Sequence, residues 1–194
     1  WWDEEPGTVR GHLYQQNTMR DAMVAALSLN VFHRHTDRVK MANIAQIANV
    51  LQSMVLTKDN KMVLTPTYYV FKMYVPHQNA TVVPLDVETT ARNVLGDRTV
   101  PTVSATASTK DGILNITLTN IDLNEPAEVT IPLDRARKDK ITGVILTAAS
   151  IDDYNDFGQA EKVKLKPFSG YKAGKSGLIV NLPSKSIVSL SIPL

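Results

Sequence analysis

The side chains best suited to bind a metal ion lie in one short acidic segment of the second half of the chain. Asp152, Asp153, Asn155 and Asp156 offer carboxylate and amide oxygens, which are the ligands that calcium prefers. The glycine and the closing glutamate of a helix-loop-helix calcium site are absent from this segment. Asx side chains also bond to their own backbone in turns. The pattern therefore favours an Asx-rich turn over a calcium site.

Two further patterns match known sites only in part. His33 and His35 are two residues apart, which on a helix directs them to different sides, so we expect no metal pair. Their position near the end of a predicted helix suits a positive charge. Residues 170–176 (GYKAGKS) approach the pattern of a phosphate-binding loop, but the first glycine is one residue too close to the second. The segment lies between two predicted strands, so we predict a hairpin.

The composition excludes several classes of function. The chain has 194 residues, 43% hydrophobic and 21% charged, with a formal net charge of +2, which is typical of globular protein. Lysines and arginines are scattered rather than clustered, so a nucleic-acid partner is not expected. There is no cysteine, which excludes disulfides, thiolate nucleophiles and cysteine zinc sites but leaves the compartment open. No apolar run reaches the roughly 20 residues that cross a bilayer, so no membrane partner is expected.

The first part of the chain alternates helical and strand-like patterns. Apolar residues recur at helical spacing between Thr18 and Arg34, and Thr18 or Asn17 is suited to cap the first turn. Residues 38–46 resemble a strand that follows this helix, as in an α/β unit. A second helix is predicted from Thr65 and Pro66 to about Tyr74. One or two such units cannot close a parallel sheet, so this part should belong to something larger.

From Ala80 onward the pattern changes to short alternating segments separated by turns. This rhythm is typical of a β-sandwich and places a boundary near Gln78. The predicted strands are residues 100–107, 113–119, 127–133, 141–147, 163–167, 178–182 and 187–192.

Several blocks, taken in order, resemble the C-terminal portion of α-L-arabinofuranosidases of glycoside hydrolase family 51. They are residues 13–22 (LYQQNTMRDA), 35–46 (HTDRVKMANIAQ), 49–52 (NVLQ), 64–71 (LTPTYYVF), 154–157 (YNDF) and 182–190 (LPSKSIVSL). The blocks extend over nearly the whole chain, and the most specific one is residues 37–46.

The resemblance implies a (β/α)8 barrel followed by a C-terminal β-sandwich of jelly-roll type. The expected fold class is thus α/β plus all-β. Residues 1–78 would be the C-terminal part of the catalytic barrel, with 38–46 as its last strand. Residues 79–194 would be the sandwich domain.

The resemblance also implies retaining hydrolysis by two glutamates, one an acid and then a base, the other a nucleophile. The acid/base belongs to the earlier half of the barrel, and the nucleophile just precedes the tryptophan that Trp1 resembles. Both are therefore expected outside this chain, which would be inactive alone as part of a longer protein. Asp3, Glu4 and Glu5 follow that tryptophan and precede a Pro-Gly pair, so we interpret them as a solvated loop.

Two residues are the candidate substrate contacts that the resemblance implies. Gln46 matches a glutamine at the end of the last barrel strand that hydrogen-bonds the arabinofuranosyl ring. Its neutral amide both donates and accepts, without adding charge beside an oxocarbenium-like transition state. The alternative is a buried amide that pairs with backbone. Trp1 matches a tryptophan that shapes the pocket, although a plain packing role suits its indole equally well.

The intact protein is accordingly expected to hydrolyse terminal α-L-arabinofuranosyl residues of arabinan, arabinoxylan or derived oligosaccharides, without a cofactor or metal. The resemblance also implies a homo-oligomer. The alternative is a non-catalytic carbohydrate-binding or structural β-sandwich module. The small number of aromatic residues after Gln78 and the lack of tryptophan there favour a supporting role for the sandwich.

Overall fold

The computed structural model describes Gly7 and residues 16–89, 92–133, 140–174 and 177–194, with the backbone alone for 92–95. Within these ranges the chain is mostly sheet. It has two α-helices, α1 (Met19–Arg34) and α2 (Pro66–Tyr74), and a 3-10 turn at Val75–His77. Neither described helix is long and apolar enough to span a membrane.

Both helices confirm the predictions from apolar spacing and capping residues. Thr18 is the N-cap of α1, and its backbone N–H donates to Asp21 Oδ2 at 2.8 Å. Such a reciprocal cap satisfies a backbone donor that the helix itself leaves open. Thr65 is the N-cap of α2, and its hydroxyl oxygen accepts a hydrogen bond from the Tyr68 N–H at 3.4 Å. Pro66 occupies the first turn, where its missing N–H costs nothing.

The acidic segment covers the N-terminal end of α1. The carbonyls of Asp153 and Ile151 accept hydrogen bonds from the Met19 and Arg20 N–H groups, both at 2.9 Å. The Asp153 carboxylate accepts from the Ser150 N–H at 2.8 Å. The Asx-rich turn is thereby confirmed, and its backbone completes the cap of a helix distant in sequence.

The strand predicted for residues 38–46 is wrong for the described chain. Turn geometry continues to Arg38, and the backbone from Val39 to Gln46 pairs with no strand. A strand is stabilised by hydrogen bonds to a neighbour, and none lies beside this segment in the described residues. A hairpin that we did not predict follows it, formed by β1 (Val55–Lys58) and β2 (Lys61–Leu64).

The second half of the described chain forms two antiparallel sheets and a separate hairpin. The strands are β3 (Thr81–Val82), β4 (Arg92–Leu95), β5 (Arg98–Pro101), β6 (Val103–Lys110), β7 (Ile113–Asn120), β8 (Ala127–Ile131), β9 (Thr142–Thr147), β10 (Lys166–Pro167), β11 (Tyr171–Gly174), β12 (Gly177–Leu182) and β13 (Ser186–Pro193). The larger sheet has the order β10-β9-β13-β7-β6-β3, and the smaller sheet has the order β11-β12-β8. Strands β4 and β5 pair only with each other.

Most of the predicted strands are confirmed. Strands β7, β8, β9, β12 and β13 coincide with them, and the pairing of Gly174 with Gly177 confirms the predicted hairpin. The two residues between these glycines lie outside the described ranges. The prediction for 100–107 is divided between β5 and β6. The prediction for 163–167 shrinks to β10, because the Val163 N–H donates to Asn155 Oδ1 at 2.9 Å instead of to a strand.

The two sheets enclose one apolar core. Alternate residues of β7 and β13 point into it, opposite the inward residues of β12. Its members include Leu114, Ile116, Leu118, Val188, Leu190, Ile192, Leu178, Val180 and Leu182. This arrangement is a β-sandwich, while its jelly-roll connectivity stays a prediction.

The helices cover the outer face of the larger sheet with a second core. Leu146 of β9 and Ile187 of β13 point away from the sandwich interior and are fully buried against the helices. The helical residues in this cluster are Met19, Ala22, Met23, Ala26, Leu29, Tyr69, Val70, Met73 and Tyr74. The chain is therefore layered as helices, large sheet and small sheet. The boundary near Gln78 stays a prediction.

Candidate functional site

Gln46 lies on the surface, at the start of a closed loop that we call the Gln46 loop, residues 46–54. Its side chain is exposed, and its backbone N–H donates to the Leu51 carbonyl at 3.3 Å. The peptide bond between Ala45 and Gln46 is cis. In the described chain the Gln46 side chain is thus exposed rather than buried, and its role as a substrate contact stays a prediction.

Backbone bonds close the Gln46 loop onto the first strand of the hairpin. The Ile47 carbonyl accepts from the N–H groups of Met54 and Val55, both at 3.0 Å. The Asn49 N–H donates to the Val55 carbonyl at 3.1 Å. Gln46 is thus the first residue of a compact, hydrogen-bonded loop, rather than the last residue of a strand.

Two residues of this loop have left-handed backbone geometry, and their side chains anchor it on two sides. Asn49 has φ 58° and Gln52 has φ 55°, a region that costs a non-glycine residue free energy. The Asn49 amide bonds twice to Thr57, accepting from its N–H at 2.7 Å and donating to its hydroxyl at 2.8 Å. The Gln52 amide donates to Asp21 Oδ1. These bonds offset the cost of the turn.

The far end of the loop is attached to both helices through Ser53, which is fully buried. Its carbonyl accepts from Asn17 Nδ2 at 2.6 Å and from the Thr65 hydroxyl at 2.8 Å. Asn17 lies just before α1 and Thr65 caps α2. One carbonyl therefore joins the Gln46 loop to the starts of both helices.

Asn155 brings the YNDF block into contact with the same region. Its Nδ2 donates to the Leu64 and Val163 carbonyls at 2.9 and 2.8 Å, and its carbonyl accepts from Gln16 Nε2 at 3.2 Å. The YNDF block therefore meets the segment before α1 and the end of β2, although both are far from it in sequence.

Apolar side chains beside Gln46 are strongly exposed. Met41 is 77% exposed and Ile47 is 70% exposed. The segment around Gln46 therefore exposes apolar side chains on both sides of the Ala45–Gln46 peptide.

A separate polar cluster lies between α1, the 3-10 turn and the larger sheet. His77 is buried, with Nδ1 2.7 Å from Ser108 Oγ and Nε2 2.9 Å from Thr117 Oγ1. The His33 ring lies 5.1 Å from it, centroid to centroid, and His33 Nδ1 is 3.1 Å from Thr106 Oγ1. Burial lowers the pKa of His33, and burial together with His33 lowers the pKa of His77 to about 4. For His33, burial opposes the positive charge that its position near the end of α1 favours.

The structure does not describe all of the other candidate residues. Trp1 and residues 3–5 lie outside the described residues. Among the described residues, no group of three or more histidine, aspartate or glutamate side chains could hold a metal ion.

Sequence reasoning missed the links that support the Gln46 loop. The sequence places Asp21 favourably in the first turn of a helix, but it does not reveal that the carboxylate also accepts from Gln52. It indicates Asn17 as a possible cap, whereas the Asn17 amide binds Ser53. One signal in the sequence could have indicated these links. Asn17, Asp21 and Gln52 all lie in blocks that resemble the family, although the blocks belong to different elements of secondary structure.

A family model described as the α-L-arabinofuranosidase C-terminal domain matches residues 1–186. The chain is 59% identical over 193 residues to an intracellular exo-α-L-arabinofuranosidase of Bacteroides ovatus, covering 99% of this chain and 38% of the relative. The chain thus spans about two fifths of that relative's length.

Solved structures have the same fold. The arabinofuranosidase of glycoside hydrolase family 51 from Xanthomonas axonopodis pv. citri is 45% identical with a TM-score of 0.90, covering 99% of this chain and 39% of that one. The thermostable family 51 α-L-arabinofuranosidase from Thermotoga petrophila has a TM-score of 0.81 at 20% identity, covering 95% of this chain and 40% of that one. The second likeness concerns the fold alone.

Proposed function

Because the chain belongs to the family of α-L-arabinofuranosidase C-terminal domains, we propose that it is the C-terminal part of a retaining α-L-arabinofuranosidase. The observation that carries the proposal is that Asn17, Asp21 and Thr65, from two of the family-like blocks, bond to the loop that presents Gln46. The intact enzyme removes terminal α-L-arabinofuranosyl residues from arabinan, arabinoxylan and related oligosaccharides.

In this proposal residues 1–78 complete a (β/α)8 barrel and residues 79–194 form the sandwich beside it. The exposed side chains of Met41 and Ile47 and the backbone of residues 40–45, which pairs with no described strand, support this division.

Gln46 binds the glycone. Its exposed amide donates one hydrogen bond and accepts another from the sugar hydroxyls, and it adds no charge where positive charge develops on the ring. Trp1 packs against the apolar face of the same sugar. The two glutamates of the retaining mechanism come from residues outside this chain, and no cofactor or metal takes part.

The polypeptide of residues 1–194 alone is inactive, whereas the full-length enzyme is active. The test compares both on an aryl α-L-arabinofuranoside and follows the anomeric configuration of the first-formed arabinose by NMR. Activity in the full-length protein alone, with retention, supports the proposal. Activity of the 194-residue polypeptide contradicts the placement of the glutamates, and inversion contradicts the mechanism.

The proposed partner is an arabinofuranosyl-containing oligosaccharide or polysaccharide, and the proposed assembly is a homo-oligomer. A carbohydrate-binding role for the sandwich alone has less support. Beyond Gln78, Tyr154 is the only aromatic side chain among the described residues with large exposure, at 38%. A platform that stacks against several sugar rings would need more.

A further inference from the structure

We propose that Gln52 is a positioning residue, which fixes Gln46 toward the glycone by tying the Gln46 loop to the carboxylate of Asp21. The inference rests on the proposed function, because it assigns a task to Gln46. It adds a residue that contacts no substrate and that acts through the backbone of its own loop.

The path from Gln52 to Gln46 is short. Leu51, the neighbour of Gln52, accepts the backbone N–H of Gln46 at 3.3 Å. The Ile47 carbonyl, next to Gln46, accepts from the N–H groups of Met54 and Val55 and so joins the two ends of the loop. A displacement of Gln52 therefore moves the carbonyl that holds Gln46, without a need to disturb either core.

Asp21 is a rigid anchor for this purpose. It is fully buried, and its Oδ2 accepts from the Thr18 N–H at 2.8 Å and from the Thr18 hydroxyl at 3.2 Å. Its Oδ1 accepts from Gln52. The first turn of α1 thereby fixes the carboxylate, and hydrogen bonds to a charged acceptor are stronger than those between neutral groups.

The side chain at position 52 needs to be a neutral donor. A glutamate there would place two carboxylates against each other in a partly buried site, which repel. A methionine would keep the length and remove the donor. Both changes remove the bond from the loop to Asp21, while the Asn49 anchor on Thr57 and the bonds of the Ser53 carbonyl to Asn17 and Thr65 remain.

The experiment uses the full-length enzyme with Gln52→Met, Gln52→Glu, Gln46→Ala and each Gln52 change combined with Gln46→Ala. We measure kcat and KM separately on an aryl α-L-arabinofuranoside, and thermal unfolding of every variant. Gln78→Glu is the matched control, because it makes the same change at an exposed glutamine outside the loop. If Gln52→Glu does not fold, Gln52→Met carries the same comparison.

We expect Gln52→Met to lower kcat/KM by about tenfold in the parent enzyme, and by less than about twofold when Gln46 is already alanine. Residues that act through one another are not additive, whereas a general loss of structure would lower activity equally in both backgrounds. An equal factor in both backgrounds, or no loss in the parent, overturns the positioning role and leaves the proposed hydrolysis intact.

Two further outcomes separate this inference from the function on which it rests. Unchanged kcat/KM in Gln46→Ala overturns the glycone contact and the positioning role together, while the arabinofuranosidase activity stands. A folded full-length protein without that activity overturns the proposed function itself.

Discussion

His77 is a neutral, doubly hydrogen-bonded ring inside the protein. Ser108 and Thr117 hold its two nitrogens, and the rings of His33 and Tyr74 lie beside it at 5.1 and 5.5 Å. Serine and threonine hydroxyls can donate or accept, so they accommodate the neutral ring without a counter-charge. None of these four neighbours carries a carboxylate that would compensate a proton on the ring.

This burial predicts a loss of stability in mild acid. A histidine in the unfolded chain takes up a proton near its ordinary pKa of 6.5, whereas burial lowers the pKa of folded His77 to about 4. The contribution of neutral His77 to the free energy of unfolding is therefore complete above pH 6.5. It decreases by about 3 kcal/mol as the pH falls from 6.5 to about 4. Urea unfolding between pH 8 and 4.5 measures it.

His77→Gln is the comparison variant, since glutamine can still bond to Ser108 and Thr117 but does not titrate in this range. Its free energy of unfolding should depend less on pH than that of the parent. Parallel pH profiles for the two proteins would contradict the assignment to His77.

At the residue scale the sequence proposes Gln46 as a substrate contact, which stays a prediction, but it does not reveal which side chains support the Gln46 loop. The resemblance is carried by contiguous blocks, and Gln46 stands in the most specific of them. The bonds of Gln52 to Asp21 and of Asn17 to Ser53 join residues more than 30 positions apart. Side-chain pairing at such separations depends on the tertiary fold, which local spacing does not encode.

At the element scale, Gly143 allows β9 and β10 to approach each other. A Cβ at this position would lie 2.8 Å from the Phe168 carbonyl oxygen and 3.0 Å from Leu190 Cδ2. The Phe168 N–H donates to the Gly143 carbonyl at 2.9 Å, so the two segments cannot separate without losing a bond. The small residue is required by this contact rather than by an unusual backbone angle.

Gly143→Ala should therefore destabilise the fold by about 2 kcal/mol, as expected for overpacking against backbone. Val144→Ala, at the next and partly exposed position of the same strand, should cost much less. Chemical denaturation of both variants tests the difference. Equal losses would mean that the contact with Phe168 relaxes freely.

The elements that were predicted best from the sequence are those in which burial of one face sets the spacing of the apolar residues. β7 and β13 alternate between two faces, and α1 and α2 have clear caps and apolar faces. The segment 38–46 has an equally strand-like composition, but a strand also requires a neighbour, which composition does not reveal. The β1–β2 hairpin was not predicted, although Asp59 and Asn60 form its turn, with Asp59 at φ 53°.

At the scale of the whole molecule, the helices and the larger sheet of the sandwich form a common apolar core, the second of the two cores described above. Met19, Val70 and Met73 pack on Leu146 and Ile187 of the larger sheet. This contact is apolar and buried on both sides, so each part protects the other from water.

Residues 79–194 expressed alone should consequently expose this face. We expect a polypeptide that binds a hydrophobic dye such as ANS and unfolds at lower denaturant concentration than the full 194-residue chain. Adding Leu146→Ser to this polypeptide should reduce the dye binding. A sandwich that is equally stable and binds no dye would show that the helices are dispensable.

The position of β13 has a consequence for biosynthesis. It lies between β9 and β7 in the larger sheet and contributes Ile187 to one core and Val188, Leu190 and Ile192 to the other. It is also translated after all the other described strands, and domains fold as units during synthesis. Neither core can close until this strand has left the ribosome, so a nascent chain interrupted before Ser186 would present two apolar faces to chaperones and proteases.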